Sequence, residues 1–284
     1  MAAPRRKANP SHNLVCVGDT HVGCMLGLLS PHGAYTDEHN HVSPSELQRK
    51  VWAWWEEFWH VAVPEMTTGE PFTVCHLGDA IDGHHHGSVH QWTHHLGTQS
   101  RAAEDILKPI VELCEGRYYH LRGTEAHVAA SSAEDERLAR ALGAIPNKYG
   151  QHARYELWKK VGPATVHLAH HVGTAGSQAY ESSAVMRELT EAYIEAAKWG
   201  EKPPDAIVRG HRHRMIKLSI PTARVEGQAV VAPGWQLKTP FSYRIAGARV
   251  SQPQFGGVVL HWSERHQELF VRTWVRSIGR EEAE

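Results

Sequence analysis

The sequence predicts an α/β fold, and three observations carry that expectation. Short apolar runs of strand length recur along the chain, and several end abruptly in polar residues. Between them lie stretches with helical periodicity, the strongest being "SPSELQRKVWAWWEEFWHVAV" at 43–63. At 284 residues the chain is long enough to bury a substantial core.

The elements follow in order. Residues 1–12 are expected to form a flexible arm, and 13–284 a single domain. "NLVCV" (13–17) reads as a buried strand, and 25–42 as a long loop with Gly, Pro and His. In the helix at 43–63, Ser43 is expected to cap, with Pro44 at the first position and Glu46 completing a capping box. Leu47, Val51, Trp54, Trp55, Phe58 and Ala62 share a face, so its Trp residues are expected in the core. "FTVCHL" (72–77) is the next strand, followed after a His-rich loop by a helix over about 98–115 with a kink at Pro109. "YYHL" (118–121) reads as a strand, and "SSAEDERLARALG" as a short helix starting at Ser132 and stopped by Gly143. A hairpin turns near Val161-Gly162-Pro163, a helix spans 177–199, and strands follow at 206–210, 228–232, 257–262 and 268–275.

Composition excludes some classes. A formal net charge of −1 provides no global field for nucleic acid or an anionic membrane. "PRRK" and "RGHRHR" are the compact basic stretches, too little for a DNA-binding surface. "MAAPRRKANPSHN" lacks the apolar stretch of a secretory signal, and no apolar run approaches membrane-spanning length. Cys16, Cys24, Cys75 and Cys114 form no CxxC pair, and Cys16 and Cys75 sit inside strand-like runs as small core residues. The expected location is cytoplasmic.

The chemistry is signalled by placement. Five strand-like runs end in Asp19 and His21, Asp79, Thr124 to His127, His170 and His171, and His211 with His213. In open α/β sheets ligands bind at the carboxyl ends of strands, so these clusters predict a shared metal site. Histidine nitrogen mixed with carboxylate oxygen suits Zn, Mn, Fe or Co better than Mg or Ca, and a carboxylate can bridge two ions.

The motifs "GDTHVG", "GDAIDG", "RGTEAH", "LAHH" and "RGHRHR", between residues 18 and 214, resemble in order those of the calcineurin-like metallophosphoesterases. Closest in appearance are the small metallophosphoesterases of phages and prophages. The resemblance implies a four-layer αββα sandwich with two facing mixed β-sheets. It implies two divalent transition-metal ions, Mn foremost, with Zn, Fe, Co or Ni as alternatives. Asp19, His21 and His213 would hold the first, Asp79 would bridge, and His170 and His211 would hold the second. His170 is preferred to His171 because it ends the strand, and His171 is left as a neighbour of the site or of the substrate.

The third motif departs from the family. Thr124 stands where the family has a metal-binding Asn, and Thr124, Glu125 or water could fill that place. His127 is expected to recover the part of the family's substrate-facing His and to protonate the leaving oxygen. Glu125 reads equally as a carboxylate at a helix start. The Arg that phosphoprotein phosphatases carry after their second motif is missing, since Gly83 follows Asp82. Arg122 and Arg212 adjoin the motifs, either toward phosphate or turned away. His86, His90 and His94 would share a face if helical. The resemblance therefore implies a phosphodiesterase acting on nucleic acid or nucleotide through a hydroxide bridging the two ions. The alternatives are a phosphomonoesterase, or an impaired member of the fold kept as a binding module.

Overall fold

A computed structural model describes residues 12–85, 87–128, 133–173, 177–222, 226–244 and 251–279. Most of the expected arm, His86 and Ser132 lie outside the described residues. The strands are β1 (Asn13–Val17), β2 (Ala34–Tyr35), β3 (His41–Val42), β4 (Thr73–His76), β5 (Tyr118–Leu121), β6 (Ala153–Arg154) and β7 (Glu156–Val161). They continue as β8 (Ala164–Ala169), β9 (Ala206–Arg209), β10 (Ile216–Ile220), β11 (Gly227–Val231), β12 (Gln254–Ser263) and β13 (Glu268–Ser277). The helices are α1 (Glu46–Glu57), α2 (Val63–Met66), α3 (Leu96–Leu113), α4 (Glu125–Val128), α5 (Ala133–Ala141) and α6 (Glu181–Trp199).

Two mixed sheets face one another. One has the order β13-β12-β1-β4-β5-β6, the other β10-β11-β9-β8-β7. Within the first, β1, β4, β5 and β6 run parallel; within the second, β8, β9 and β11 do. Leu14, Cys16, Cys75, Leu77 and Leu260 of the first sheet pack between the layers against Leu157, Val166, Leu168, Val208 and Val230 of the second. The outer face of the first sheet packs Val15, Val17 and Val74 under α1, α3 and α5 through Trp55, Ile106 and Leu138. The outer face of the second packs Ile207, Ala229 and Val231 under α6 through Val185 and Leu189. The layers are helix, sheet, sheet, helix, the sandwich that the motif order implies.

Two expectations about helices are corrected. The cap of α1 is Ser45, whose Oγ accepts from Gln48 N at 3.2 Å while Gln48 Oε1 accepts from Ser45 N at 3.0 Å. Gln48 also donates to Gly27 O at 3.0 Å, and that tertiary bond favours the later start over Ser43, Pro44 and Glu46. The helix continues through a π-turn at Phe58–Ala62 into α2, where Pro64 has no N–H to donate. Helix α3 begins two residues before the expected start, because the His95 side chain accepts from Thr98 N at 3.1 Å. His90 and His94 therefore precede the helix, and the face they were expected to share does not form. The small strands β2 and β3 and the edge strand β10 were not anticipated, and the strand expected before the turn at Val161 is split, with Ala153–Arg154 pairing with β5 in the other sheet.

The core Trp residues also anchor the rim. Trp55 meets Trp59 and Trp235 edge-on, with centroids at 5.5 and 4.8 Å. Each such pair adds about 0.5–1.5 kcal/mol beyond its buried area. Trp235 N donates to Asp19 O at 2.9 Å, so this cluster fixes the loop that follows β1.

Candidate metal centre

Five parallel strands deliver the site. β1, β4 and β5 in one sheet and β8 and β9 in the other end at the same rim, releasing Asp19, Asp79, Thr124, His170 and His211 just beyond their last residues. Backbone bonds lock these loops together: Asp19 N to Gly78 O at 2.9 Å, His21 N to Asp79 O at 3.1 Å, and Gly210 N to His170 O at 2.9 Å. Glycine is required where the loops touch. A Cβ on Gly123 would lie 2.1 Å from Asp79 Oδ1, and one on Gly78 would lie 2.8 Å from Gly123 Cα.

All six residues expected as ligands meet here. Donor atoms of Asp19, His21 and His213 lie within 4.8 Å of one another, as do those of Asp19, Asp79 and His170. His213 Nε2 is 3.2 Å from Asp19 Oδ1 and 3.1 Å from His21 Nε2. Asp79 Oδ2 is 3.1 Å from His170 Nε2, and His170, His171 and His211 form a further donor group. Asp79 thus stands between the two histidine groups. His170 is buried and directed at Asp79, whereas His171 is exposed beside it, with ring centroids 4.8 Å apart.

The histidines are oriented from behind. His170 Nδ1 lies 2.8 Å from the Leu77 carbonyl, which can only accept, so Nε2 is the nitrogen that faces the centre. His21 Nδ1 lies 3.2 Å from Asp82 Oδ1, leaving its Nε2 inward in the same way. Asp82 is buried and also accepts from Gln91 Nε2 at 2.6 Å and Gln236 Nε2 at 3.3 Å. Asp82 enters the sequence pattern only as the residue before Gly83, and Gln91 and Gln236 lie outside every motif. No spacing signal points to either, since both reach Asp82 from separate loops.

Thr124 lies among three of the residues expected as ligands. Its Oγ1 lies 3.2 Å from each of Asp79 Oδ2, His170 Nε2 and His211 Nδ1. Its N–H donates to Asp79 Oδ1 at 2.7 Å. Glu125 is exposed at the first position of α4, the helix-start reading of that residue. His127 Nδ1 donates to Asp82 O at 2.6 Å, and its Nε2 is 3.8 Å from Asp79 Oδ2. Arg122 turns away from the centre and bonds Glu136 Oε2 at 3.3 Å.

Electrostatics separate these groups. Burial alone would raise Asp19, but His213 and His170 outweigh it and lower its carboxyl to about 2. Burial likewise opposes Asp79, yet His170 and His127 hold it well below the carboxylate range. His170 is pulled down by burial but lifted to about 9 by Asp79 and Asp19. Burial pushes His127 and His211 down to about 4. In the metal-free chain the His170 imidazolium therefore supplies positive charge that the paired carboxylates require. Neutral imidazoles facing ionised carboxylates fit one or two divalent transition-metal ions.

A cleft of about 320 Å³ opens over the centre. His21, Asp79, Thr124, His127, His211 and His213 form its floor, and His85, Arg212, Arg214, Lys238 and Phe241 stand on its walls. Arg212 donates to Gly173 O at 2.7 Å and Arg214 pairs with Glu181. The wall formed by 236–242 and 251–253 carries no motif and was not anticipated.

No protein-family profile matches the chain, and no curated protein matches it in sequence. Solved structures match over most of the chain at low identity. A metallophosphoesterase from Sphaerobacter thermophilus is 12% identical with a TM-score of 0.35, over 92% of this chain and 88% of that one. A conserved uncharacterized protein described as a predicted phosphoesterase, from Streptococcus pneumoniae, is 10% identical with a TM-score of 0.33, over 93% and 97%.

Proposed function

We propose that the chain is a dinuclear metal-dependent phosphoester hydrolase, a phosphodiesterase acting on nucleic acid or nucleotide. The observation that carries this reading is the assembly of Asp19, His21 and His213 on one side of Asp79 and His170 and His211 on the other, from separate strand ends. Two bound ions, Mn first among the candidates, would supply a water of lowered pKa as nucleophile and offset the charge of the phosphoryl oxygens. Asp79 would hold both ions, and Thr124 Oγ1 would complete the second ligand set in place of the family's Asn. Leu77 O and Asp82 keep Nε2 of His170 and His21 aimed inward. His127 Nε2 faces the same space beside Asp79 and would meet the substrate there.

Preference for a diester follows from the second motif. A Cβ on Gly83 would lie 1.8 Å from His127 O, and Gly83 holds φ at +64°, so no phosphate-clamping side chain fits after Asp82. A dianionic monoester loses that clamp, whereas a singly charged diester needs it less. Arg212 and Lys238 at the cleft wall supply positive charge for a nucleotide-sized anion. The buried, unpaired cysteines agree with a reducing cytoplasmic setting.

The test combines metal analysis with paired substrates. Protein purified without chelator and reloaded should hold close to two transition-metal ions and turn over a chromogenic diester faster than the matching monoester. Faster monoester turnover would make it a phosphomonoesterase. Metal binding without turnover of either would make it a binding module, and no restorable metal would reject the reading.

A further inference from the structure

On the two-metal reading proposed for the site, Thr124 Oγ1 completes the second ligand set. A neutral hydroxyl brings no charge to a divalent ion, so its place must be set by the loop that carries it. Two successive amides anchor that loop. Thr124 N donates to Asp79 Oδ1 at 2.7 Å, and Gly123 N donates to Asp135 Oδ2 at 3.0 Å. The peptide between them is held by carboxylates of two other elements, one in the loop after β4 and one in the first turn of α5. Thr124 Oγ1 stands 3.2 Å from Asp79 Oδ2, His170 Nε2 and His211 Nδ1, so a loop released at Gly123 changes all three spacings together.

Asp135 is buried and backed by a second set of buried groups. Its Oδ1 faces His120 Nε2 at 3.6 Å, an electrostatic contact longer than a hydrogen bond. Tyr118 Oη lies 2.9 Å from His120 Nδ1, which turns Nε2 toward the carboxylate. His120 stacks on His76 across β4 and β5, with centroids 5.1 Å apart and rings 5° from parallel. His76 Nδ1 accepts from Gly78 N at 3.3 Å. The stacked pair therefore serves both loops: one ring holds the glycine before Asp79, and the other backs the carboxylate that holds the glycine before Thr124.

The acids beside Asp135 on α5 have other partners. Glu134 accepts from Ser100 Oγ at 2.9 Å, and Glu136 accepts from Arg122 at 3.3 Å and from Ala153 N at 2.9 Å. In the sequence the run Glu134-Asp135-Glu136 marks only a helix start. We infer that Asp135 is a positioning residue for the metal centre. By holding Gly123 N it sets the place of Thr124 Oγ1 and, through Thr124 N, the rotation of the Asp79 carboxylate, and so sets the affinity for the second ion.

Calorimetric titration with Mn²⁺ and glycine-selective nitrogen-15 spectra of the metal-free protein test this in wild type, Asp135→Ala, Asp135→Asn and Glu134→Gln. Asp135→Ala should weaken the weaker of the two binding events roughly 10–100-fold, the range for losing a group behind a ligand, and change the stronger one less. The Gly123 amide proton, shifted downfield by its carboxylate acceptor, should move upfield in the same variant. Asp135→Asn keeps a neutral acceptor for Gly123 N, and its Nδ2 can donate to His120, so its affinity and its Gly123 signal should both lie between wild type and Asp135→Ala. Glu134→Gln removes a helix-start charge without touching Gly123 and should lower stability alone. Wild-type affinity in Asp135→Ala with a displaced Gly123 signal would overturn the inference, as would an Asp135→Asn protein as weak as Asp135→Ala. If Asp135→Ala does not fold, Asp135→Asn decides: a shifted Gly123 signal with weakened second-ion binding supports the role, and a shifted signal with unchanged binding overturns it. Wild-type protein that takes up no metal would reject the two-metal reading itself, a result visible before any variant is compared.

Discussion

Asp19, His21, Asp79, His211 and His213 hold backbone φ at 55°, 44°, 50°, 70° and 51°. A non-glycine residue in this left-handed region costs about 1–2 kcal/mol, and five of the residues assigned as ligands carry that cost together. The strain persists because each loop is over-determined by bonds to its neighbours, as where His211 N donates to Asp19 Oδ1 at 3.1 Å. The charge of the site is equally constrained. At neutral pH the metal-free chain holds His170 as an imidazolium against Asp79. An entering ion needs the neutral ring, so metal binding must expel that proton. We expect proton release at pH 7, read by titration calorimetry in buffers of different ionisation enthalpy, and affinity that rises toward pH 9. Absence of release would contradict the assignment of His170 as a ligand. The sign for stability runs the other way. Because the folded pKa of His170 is raised from 6.5 to about 9, its pairing stabilises the metal-free fold fully below pH 6.5 and is lost as the pH rises through about 9.

Helix α1 shows how an element's boundary depends on what lies beyond it. The local pattern Ser43-Pro44-Ser45-Glu46 offers two serines as caps, and propensity alone favours the first. Gln48 decides for Ser45, because its side chain both closes the capping box and reaches Gly27 O in the loop after β1. Ser45→Ala should therefore cost about 1 kcal/mol, within the range for a lost N-cap, measured by urea unfolding. Ser43→Ala should cost little by comparison, and equal losses would show that the cap is shared. Helix α4 lies over the second motif, where His127 O occupies the place a Gly83 side chain would take. A side chain at position 83 and the helical turn that carries His127 would thus compete for one space.

At the scale of the molecule, three apolar cores hold the layers, while the site rests on the rim where both sheets end. The fold should therefore survive removal of metal. Chelator-treated protein should keep its far-ultraviolet circular dichroism but melt at a lower temperature. Restoring Mn²⁺ at 100 times its Kd should return about 2.7 kcal/mol for each site filled, by mass action alone. Global unfolding on chelation would mean that the metals are structural. Among the described residues, no helix is long and apolar enough to cross a membrane. By itself the sequence determined the strands that end in the residues expected as ligands, because a buried parallel strand is a local apolar run and its Asp or His follows directly, as in β1 and Asp19 or β9 and His211. It also determined the core role of Trp55 and Trp59, whereas Trp52 and Trp54 are half-buried beside the core and Leu47 is exposed. Only the tertiary structure decided which nitrogen of each histidine faces inward, that Thr124 sits among Asp79, His170 and His211, that Asp82 holds His21 and His85, and that 236–242 and 251–253 contribute a cleft wall. Those outcomes depend on contacts between loops far apart in the chain, such as Gln236 and Asp82, and no residue's local pattern encodes the partner it meets across the rim.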